Sequence, residues 1–285
     1  MEQLKRLLAI NDLSGIGKCS LTVALPVVSA TGVECACMPT TVLSTHTAVF
    51  QNFTVRDLSD QILPMADHWK QENLAFDGIC TGYMANAGQA ALIADAIQRC
   101  RNESTLVIVD PAMADNGHYY AMLGDDIRDA FRELIAHAHV VTPNVTEAAL
   151  LTGVPYRSGA LDMDYVQSLL RALVAMGPSV AVVTSVYTDD GRIGNVALDA
   201  RTGEVVTAFR PVTEGRFHGT GDLFTAAFSA LLLRGASLSD AMSVGGGLLD
   251  DSIRQTVARG TPLHWGVAFE GALPAYIKRV EALFS

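Results

Sequence analysis

Short, wholly apolar runs alternate along this chain with longer stretches whose apolar residues recur every three or four positions, a pattern that predicts strands and helices in turn. Leu7 to Ile10 reads as a first buried strand. Asn11 to Gly17 reads as a polar loop before a helix over about Ser20 to Ala30, which Thr31-Gly32 ends. Val33 to Val42 predicts a second extended segment that delivers Ser44-Thr45-His46-Thr47 into a loop. A helix follows over roughly Arg56 to Glu72, interrupted near Pro64, then a strand from Gly78 to Thr81, a loop at Gly82-Tyr83 and a helix from Ala87 to Cys100. Leu106 to Val109 is the strongest strand signal and stops at Asp110-Pro111. Helices over Asp125 to His137, Thr146 to Leu151 and Asp162 to Met176 are interleaved with strands at Val140-Val141 and Val180 to Val183. Arg192 to Ala200 and Glu204 to Phe209 flank a turn at Arg201-Thr202-Gly203 and predict a hairpin at the sheet edge. A buried helix over Leu223 to Leu233, a segment from Leu238 to Ala258 broken by Gly245-Gly246-Gly247, and a helix near Pro274 to Leu283 complete the order.

Strands that are apolar throughout and separated by helices imply an α/β fold, with a mainly parallel sheet covered on both faces. Such sheets bind ligands at the carboxyl ends of their strands. The polar clusters fall at those ends: Asn11-Asp12, Thr45-His46-Thr47, Thr81-Gly82-Tyr83, Asp110 to Asp115, Thr142-Pro143-Asn144 and Thr184-Ser185. At 285 residues and 49% hydrophobic the chain can bury one large core, and a single domain over residues 1–285 is expected. A net charge of −10 argues against a nucleic-acid or anionic-membrane surface. A phosphate ligand must therefore be met by local dipoles or cations. Five cysteines, odd in number and without a C-x-x-C pair, read as reduced thiols. The apolar run after Lys5 and Arg6 is too short for a signal peptide and no stretch reaches membrane-spanning length, so a cytoplasmic protein is expected.

The chemistry converges on Phe217-His218-Gly219-Thr220-Gly221-Asp222-Leu223-Phe224. Two glycines one residue apart permit a tight turn into the following helix, whose first N–H groups lack partners and carry roughly half a positive charge. Gly219, Thr220 and Gly221 thus make a cradle for a phosphate, and Asp222 beside it is placed to accept a proton from an attacking hydroxyl. A second segment, Asp12-Leu13-Ser14-Gly15-Ile16-Gly17-Lys18-Cys19-Ser20, invites a P-loop reading but fails it. The pattern needs Gly where Asp12 stands and Ser or Thr where Cys19 stands.

Taken together, the clusters resemble the ribokinase-like superfamily of small-molecule kinases, and within it the vitamin B6 kinases. Ser44-Thr45-His46-Thr47 resembles that family's S-N-H-T, Thr81-Gly82-Tyr83 its [ST]-G-Y, and Asp110 to Asp115 its D-P-V-M-G-D. Thr142-Pro143-Asn144-Val145-Thr146-Glu147 resembles T-P-N-x-x-E, and Gly219 to Phe224 resembles G-T-G-D-[LV]-F. The resemblance implies a three-layer α/β/α ribokinase-like fold and phosphoryl transfer from MgATP to the 5′-hydroxymethyl group of a B6 vitamer, in a protein that is usually a homodimer. It implies Asp222 as base, with Gly219, Thr220 and Gly221 as its anion cradle. Asp110, Asp115 and Glu147 fall around Mg²⁺, with a monovalent cation such as K⁺ as a further ion. The nucleotide contacts would be Asp110, Asp115, Thr142, Asn144, Thr184, Ser185, Gly219 and Gly221. His46, Thr47 and Tyr83 fall on the acceptor, and Ala114 to Ala121 is the candidate covering loop. Asp12 departs from the family, which usually has Ser there against the pyridine nitrogen; a carboxylate can pair with a pyridinium or accept from an amine. Asp12-Leu13-Ser14-Gly15 also resembles the D-P-S-G of hydroxymethylpyrimidine kinases, the alternative within the class, although those enzymes tend to carry Cys where this chain has Asp222. The competing class is a protein that binds a vitamer or nucleotide without turning it over. Retention of Asp222, both glycines and the acidic set speaks against it.

Overall fold

The computed structural model describes residues 4–121 and 123–285. The first half contributes β1 (Arg6–Ser14), α1 (Ser20–Ala30), β2 (Glu34–Leu43), β3 (Val55–Asp57), α2 (Ser59–Gln71), β4 (Gly78–Thr81), α3 (Ala87–Cys100) and β5 (Leu106–Val109). A small hairpin of β6 (Ala114–Asp115) and β7 (His118–Tyr119) precedes α4 (Asp125–Ile135), β8 (Val140–Val141), α5 (Val145–Thr152) and α6 (Met163–Val174). The chain then forms β9 (Val180–Tyr187), β10 (Arg192–Asp199), β11 (Glu204–Pro211), α7 (Thr220–Leu233), α8 (Leu238–Arg259) and α9 (Leu273–Leu283), with short 3₁₀ turns at Leu263–Trp265 and Phe269–Gly271.

Nine strands form one sheet in the order β11-β10-β9-β8-β5-β4-β1-β2-β3. The pairs from β2 through β1, β4, β5 and β8 to β9 are parallel, and antiparallel strands close both edges. Alternate residues of each strand enter opposite layers, as the strand period of two requires. Leu8 and Ile10 join the core beneath α2 to α6, whereas Leu7 joins the core beneath α1, α7, α8 and α9. The three-layer α/β/α reading and its mainly parallel sheet hold.

Local boundaries differ where packing overrides local signals. β1 runs on to Ser14 because it keeps pairing with β2, so Asn11 and Asp12 lie inside a strand rather than in a loop. The helix placed from Arg56 starts at Ser59 instead, since Val55 to Asp57 pair with Thr41 to Leu43 as β3. Pro64 does not interrupt α2: it forgoes one bond, to the Asp60 carbonyl, while Ile62 and Ala66 stay buried in the core. The glycine triplet does not break α8, which runs unbroken through it with Gly245 buried on the side that faces α7. Ala114 to Ala121, read as a loop, contains the β6–β7 hairpin, turned by Asn116 and Gly117 at φ 51° and 80°. Asn-Gly at positive φ is the preferred two-residue hairpin turn.

Phe228, fully buried on α7 and stacked on Phe224 with centroids 5.3 Å apart, ties that helix to its layer. Phe228→Ala is expected to lower unfolding free energy by about 3–5 kcal/mol, measured by urea denaturation. A loss below about 1 kcal/mol would show that α7 is held by other contacts.

Candidate active site

The carboxyl ends of β1, β4, β5, β8 and β9 open on one edge of the sheet, and the N-terminus of α7 points into the same cleft. Gly219 caps α7 at φ 75°, and a Cβ on it would stand 2.1 Å from the Lys18 carbonyl oxygen. Only glycine fits there. The failed P-loop segment thus packs its backbone directly against the turn into α7. The amides of Thr220, Gly221 and Asp222 find no backbone acceptor among the described residues, so they remain available as donors.

Asp222, in the first turn of α7, is half-buried. Its carboxyl accepts the Asn11 side-chain amide at 3.5 Å, and the Ser20 backbone N–H beside it favours the charged form. Burial, and then the charge of Asp12, push its pKa up to about 6. Asp110 follows β5, is buried, and accepts the Thr225 hydroxyl at 2.8 Å. Burial first and Asp222 second raise it to about 7. Thr142 reaches the same Thr225 hydroxyl at 3.3 Å. Between Asn11, Asp110, Asp222 and Thr225 lies a cavity of about 20 Å³, room for one water.

The other acids have different surroundings. Glu147 is buried, and burial followed by Asp110 raises it well above the usual carboxylate range. It accepts the amides of Met113 at 3.0 Å and Ala114 at 3.3 Å with one oxygen and that of Asn144 at 2.8 Å with the other. Asn144 returns a bond to the Glu147 amide, completing a capping box for α5, and donates to the Ala114 carbonyl at 2.8 Å. Both residues therefore anchor the strand-end segment that follows Asp110. Asp115 instead lies in the hairpin, accepts from Asn116 and approaches Arg216 at 3.4 Å. Among the described residues no group of three or more acidic, His or Cys side chains is placed to hold a metal ion unaided.

Thr184 and Ser185 sit inside β9 rather than beyond it. Two β9 residues face one β10 residue here, a bulge that puts Ser185 at φ 59°, and the buried Asn195 accepts its amide at 3.3 Å. Thr184 pairs across to Asn144, which joins the two nucleotide-side clusters read from the sequence.

On the acceptor side, Asp12 and Tyr83 lie close enough for the Asp12 charge, after burial, to raise the tyrosine. Thr47 is half-buried. His46 has both ring nitrogens occupied by protein: Nε2 donates to the His264 carbonyl at 2.8 Å and Nδ1 accepts the Ala48 amide at 3.2 Å. Its ring stacks on His218 at 5.2 Å, directly before Gly219. What His46 offers a ligand is a ring surface, not a nitrogen. Phe50, 4.9 Å from His46 and 5.3 Å from Trp265, completes an aromatic wall that the sequence reading missed. Residues more than 200 positions apart build it, and no local pattern reports such a contact. Tyr120 was missed as well; burial first, then the charges of Glu147, Asp115, Asp110 and Asp222, push it well up.

A parallel sheet with this cleft at its carboxyl edge and a glycine-capped helix aimed into it is the architecture of the ribokinase-like kinases. The chain belongs to the family described as phosphomethylpyrimidine kinase, whose model matches residues 24–265. Among solved structures, pyridoxal kinase from Lactobacillus plantarum is 34% identical with a TM-score of 0.89, covering 98% of this chain and 99% of that one. A Bacteroides thetaiotaomicron protein, provisionally assigned as a phosphomethylpyrimidine kinase and solved with pyridoxal, is 31% identical with a TM-score of 0.91, covering 96% of each chain. The pyridoxine/pyridoxal/pyridoxamine kinase of Bordetella avium is 37% identical over 175 residues, a stretch spanning 59% of this chain and 56% of that enzyme. Among the described residues no helix is long and apolar enough to cross a membrane.

Two expectations follow from this geometry. Gly219→Ala forces a methyl onto the Lys18 carbonyl at positive φ, so turnover should fall by at least about a hundredfold as the amide cradle is displaced. An unchanged rate would show that the cradle is not used. The pH dependence has a definite sign: Asp110 and Asp222 keep protons to about 7 and about 6 when folded, whereas an unfolded Asp releases near 3.8. The folded state binds more protons across that window, so stability of the ligand-free protein falls as pH rises from about 4 to about 7. Thermal midpoints at about pH 5 and about pH 8 should show the drop, and Asp110→Asn should flatten it.

Proposed function

We propose that this protein transfers the γ-phosphoryl group of ATP to the 5′-hydroxymethyl group of a vitamin B6 vitamer. The observation that carries the reading is a half-buried Asp222, with its pKa near neutrality, set beside the unpaired first-turn amides of α7. A base works best when its pKa lies near the operating pH, and about 6 leaves Asp222 largely ionised at neutral pH yet able to take the hydroxyl proton. Phosphoryl transfer spreads charge over non-bridging oxygens, and the amides of Thr220, Gly221 and Asp222 are preorganised to receive it. Asn144, Thr142, Thr184 and Ser185 line the nucleotide side; Tyr83, Thr47 and the His46 ring line the acceptor side. The names of the L. plantarum and B. avium relatives support a B6 vitamer as acceptor.

Magnesium fits the donor set. Mg²⁺ keeps several waters and is commonly held by one or two carboxylates plus substrate phosphates, which suits a cleft with Asp110 at a strand end and no three-carboxylate cage among the described residues. When bound there it would neutralise phosphate charge, with Asp110 as its protein ligand. Asp115 and Glu147 would act, if at all, through water.

A coupled ADP-release assay with pyridoxal, pyridoxamine, pyridoxine and hydroxymethylpyrimidine tests the reading. Release with the vitamers is expected. Release with the pyrimidine alone would favour the alternative that Asp12-Leu13-Ser14-Gly15 suggests, and none with any acceptor would favour a binding protein. Asp222→Asn should lower kcat by about 10²–10⁴-fold with little change in either KM. A near-normal rate would remove Asp222 from the role.

A further inference from the structure

Asp12, Asn11 and Ser20 form a closed circuit with Asp222. Asp12 is 3% exposed; its Oδ1 accepts the Ser20 hydroxyl at 2.5 Å and its Oδ2 the Ser14 hydroxyl at 2.8 Å. The Asp12 amide donates to the Asn11 Oδ1 at 3.0 Å, which turns the Asn11 Nδ2 toward Asp222 at 3.5 Å. Ser20 closes the other side, since its hydroxyl holds Asp12 while its backbone N–H lies against Asp222 and favours that carboxylate's charge. To do both, Ser20 opens α1 at φ 52°, in the left-handed region that serine rarely occupies. Backbone strain of this kind persists only where the surroundings over-determine it. Here the over-determination comes from Ser20 lying between two carboxylates, with Asn11 tied to both by accepting the Asp12 amide and donating to Asp222.

We propose that Asn11 and Ser20 are positioning residues for Asp222, with Asp12 as their common anchor, so that Asp12 serves the base rather than the acceptor ring. The proposal rests on Asp222 being the base. The circuit fixes which way each donor points. Rotating the Asn11 amide would leave the Asp12 N–H without its acceptor and face an oxygen toward Asp222. Removing the Ser20 hydroxyl would free a backbone whose φ only that network holds. Both serine hydroxyls are spent on Asp12, and its near-complete burial closes it to the cleft. A pyridinium or amine would have to open that burial to reach the lone pairs the serines leave free.

The discriminating experiment measures kcat and both KM values for Ser20→Gly, Ser20→Ala and Asp12→Asn, alone and combined with Asp222→Asn. Ser20→Gly tolerates the positive φ and keeps the N–H, so it isolates the hydroxyl even if Ser20→Ala fails to fold. Each single variant should lower kcat by about tenfold, the worth of a hydrogen bond to a charged group, with each KM within about twofold of wild type. In the Asp222→Asn background the same changes should cost nothing further, because they act through that carboxylate. A raised KM for pyridoxal with kcat preserved in Asp12→Asn would make Asp12 a ring contact and overturn the proposal. So would single variants at the wild-type rate, or losses that multiply in the double variants. Full activity of Asp222→Asn alone would instead sink the reading of Asp222 itself.

Discussion

Like charges are crowded into one place, and the structure around them exists to hold them there. At the carboxyl edge of the sheet Asp222 feels the field of Asp12 and Asp110 that of Asp222, and no Lys or Arg among the described residues sets their pKa values. Donors from the backbone and from neutral side chains do the work instead: two serines for Asp12, Thr225 for Asp110, Asn11 and the Ser20 amide for Asp222. The cleft therefore keeps negative charge at a cost in stability while leaving its carboxylates able to exchange protons near neutral pH. On the proposed function, a magnesium ion and the first-turn amides of α7 would offset that negative charge for a phosphate ligand.

Much of this was readable from the chain. Wholly apolar strands gave the parallel sheet, and polar clusters at their ends gave the edge on which the cleft opens, because a buried strand must change character where it leaves the core. The Asn144 to Glu147 spacing is a capping signature, and it forms one. Asn116-Gly117 was a legible hairpin signal that went unused beside the expectation of a loop. Other features had no local signature. That α8 continues through three glycines follows from the layer it packs in rather than from its local sequence, and the wall of Phe50, His218 and Trp265 is assembled from three separate segments.

The segment that imitates a P-loop has a use that its failed pattern concealed. Its backbone meets Gly219, and its last residue bridges two carboxylates. Strand, tight loop and helix are present, and the loop packs its backbone against the glycine-capped turn into α7. Asp12, read from the sequence as an acceptor contact, accepts two serine hydroxyls of that same segment, and on the proposal made above it belongs to the support of Asp222. His46 likewise lends its nitrogens to the backbone of neighbouring segments and its ring to the cleft.

The most direct measurement is the fate of the terminal phosphoryl group when γ-labelled ATP, magnesium and pyridoxal are mixed with the protein under single-turnover conditions. Label recovered in pyridoxal 5′-phosphate, at a rate that collapses when Asp222 is replaced by Asn, is the expected result. Label released as inorganic phosphate, or retained in ATP while pyridoxal stays bound, would contradict the assignment of Asp222 and the α7 amides as a phosphoryl-transfer site.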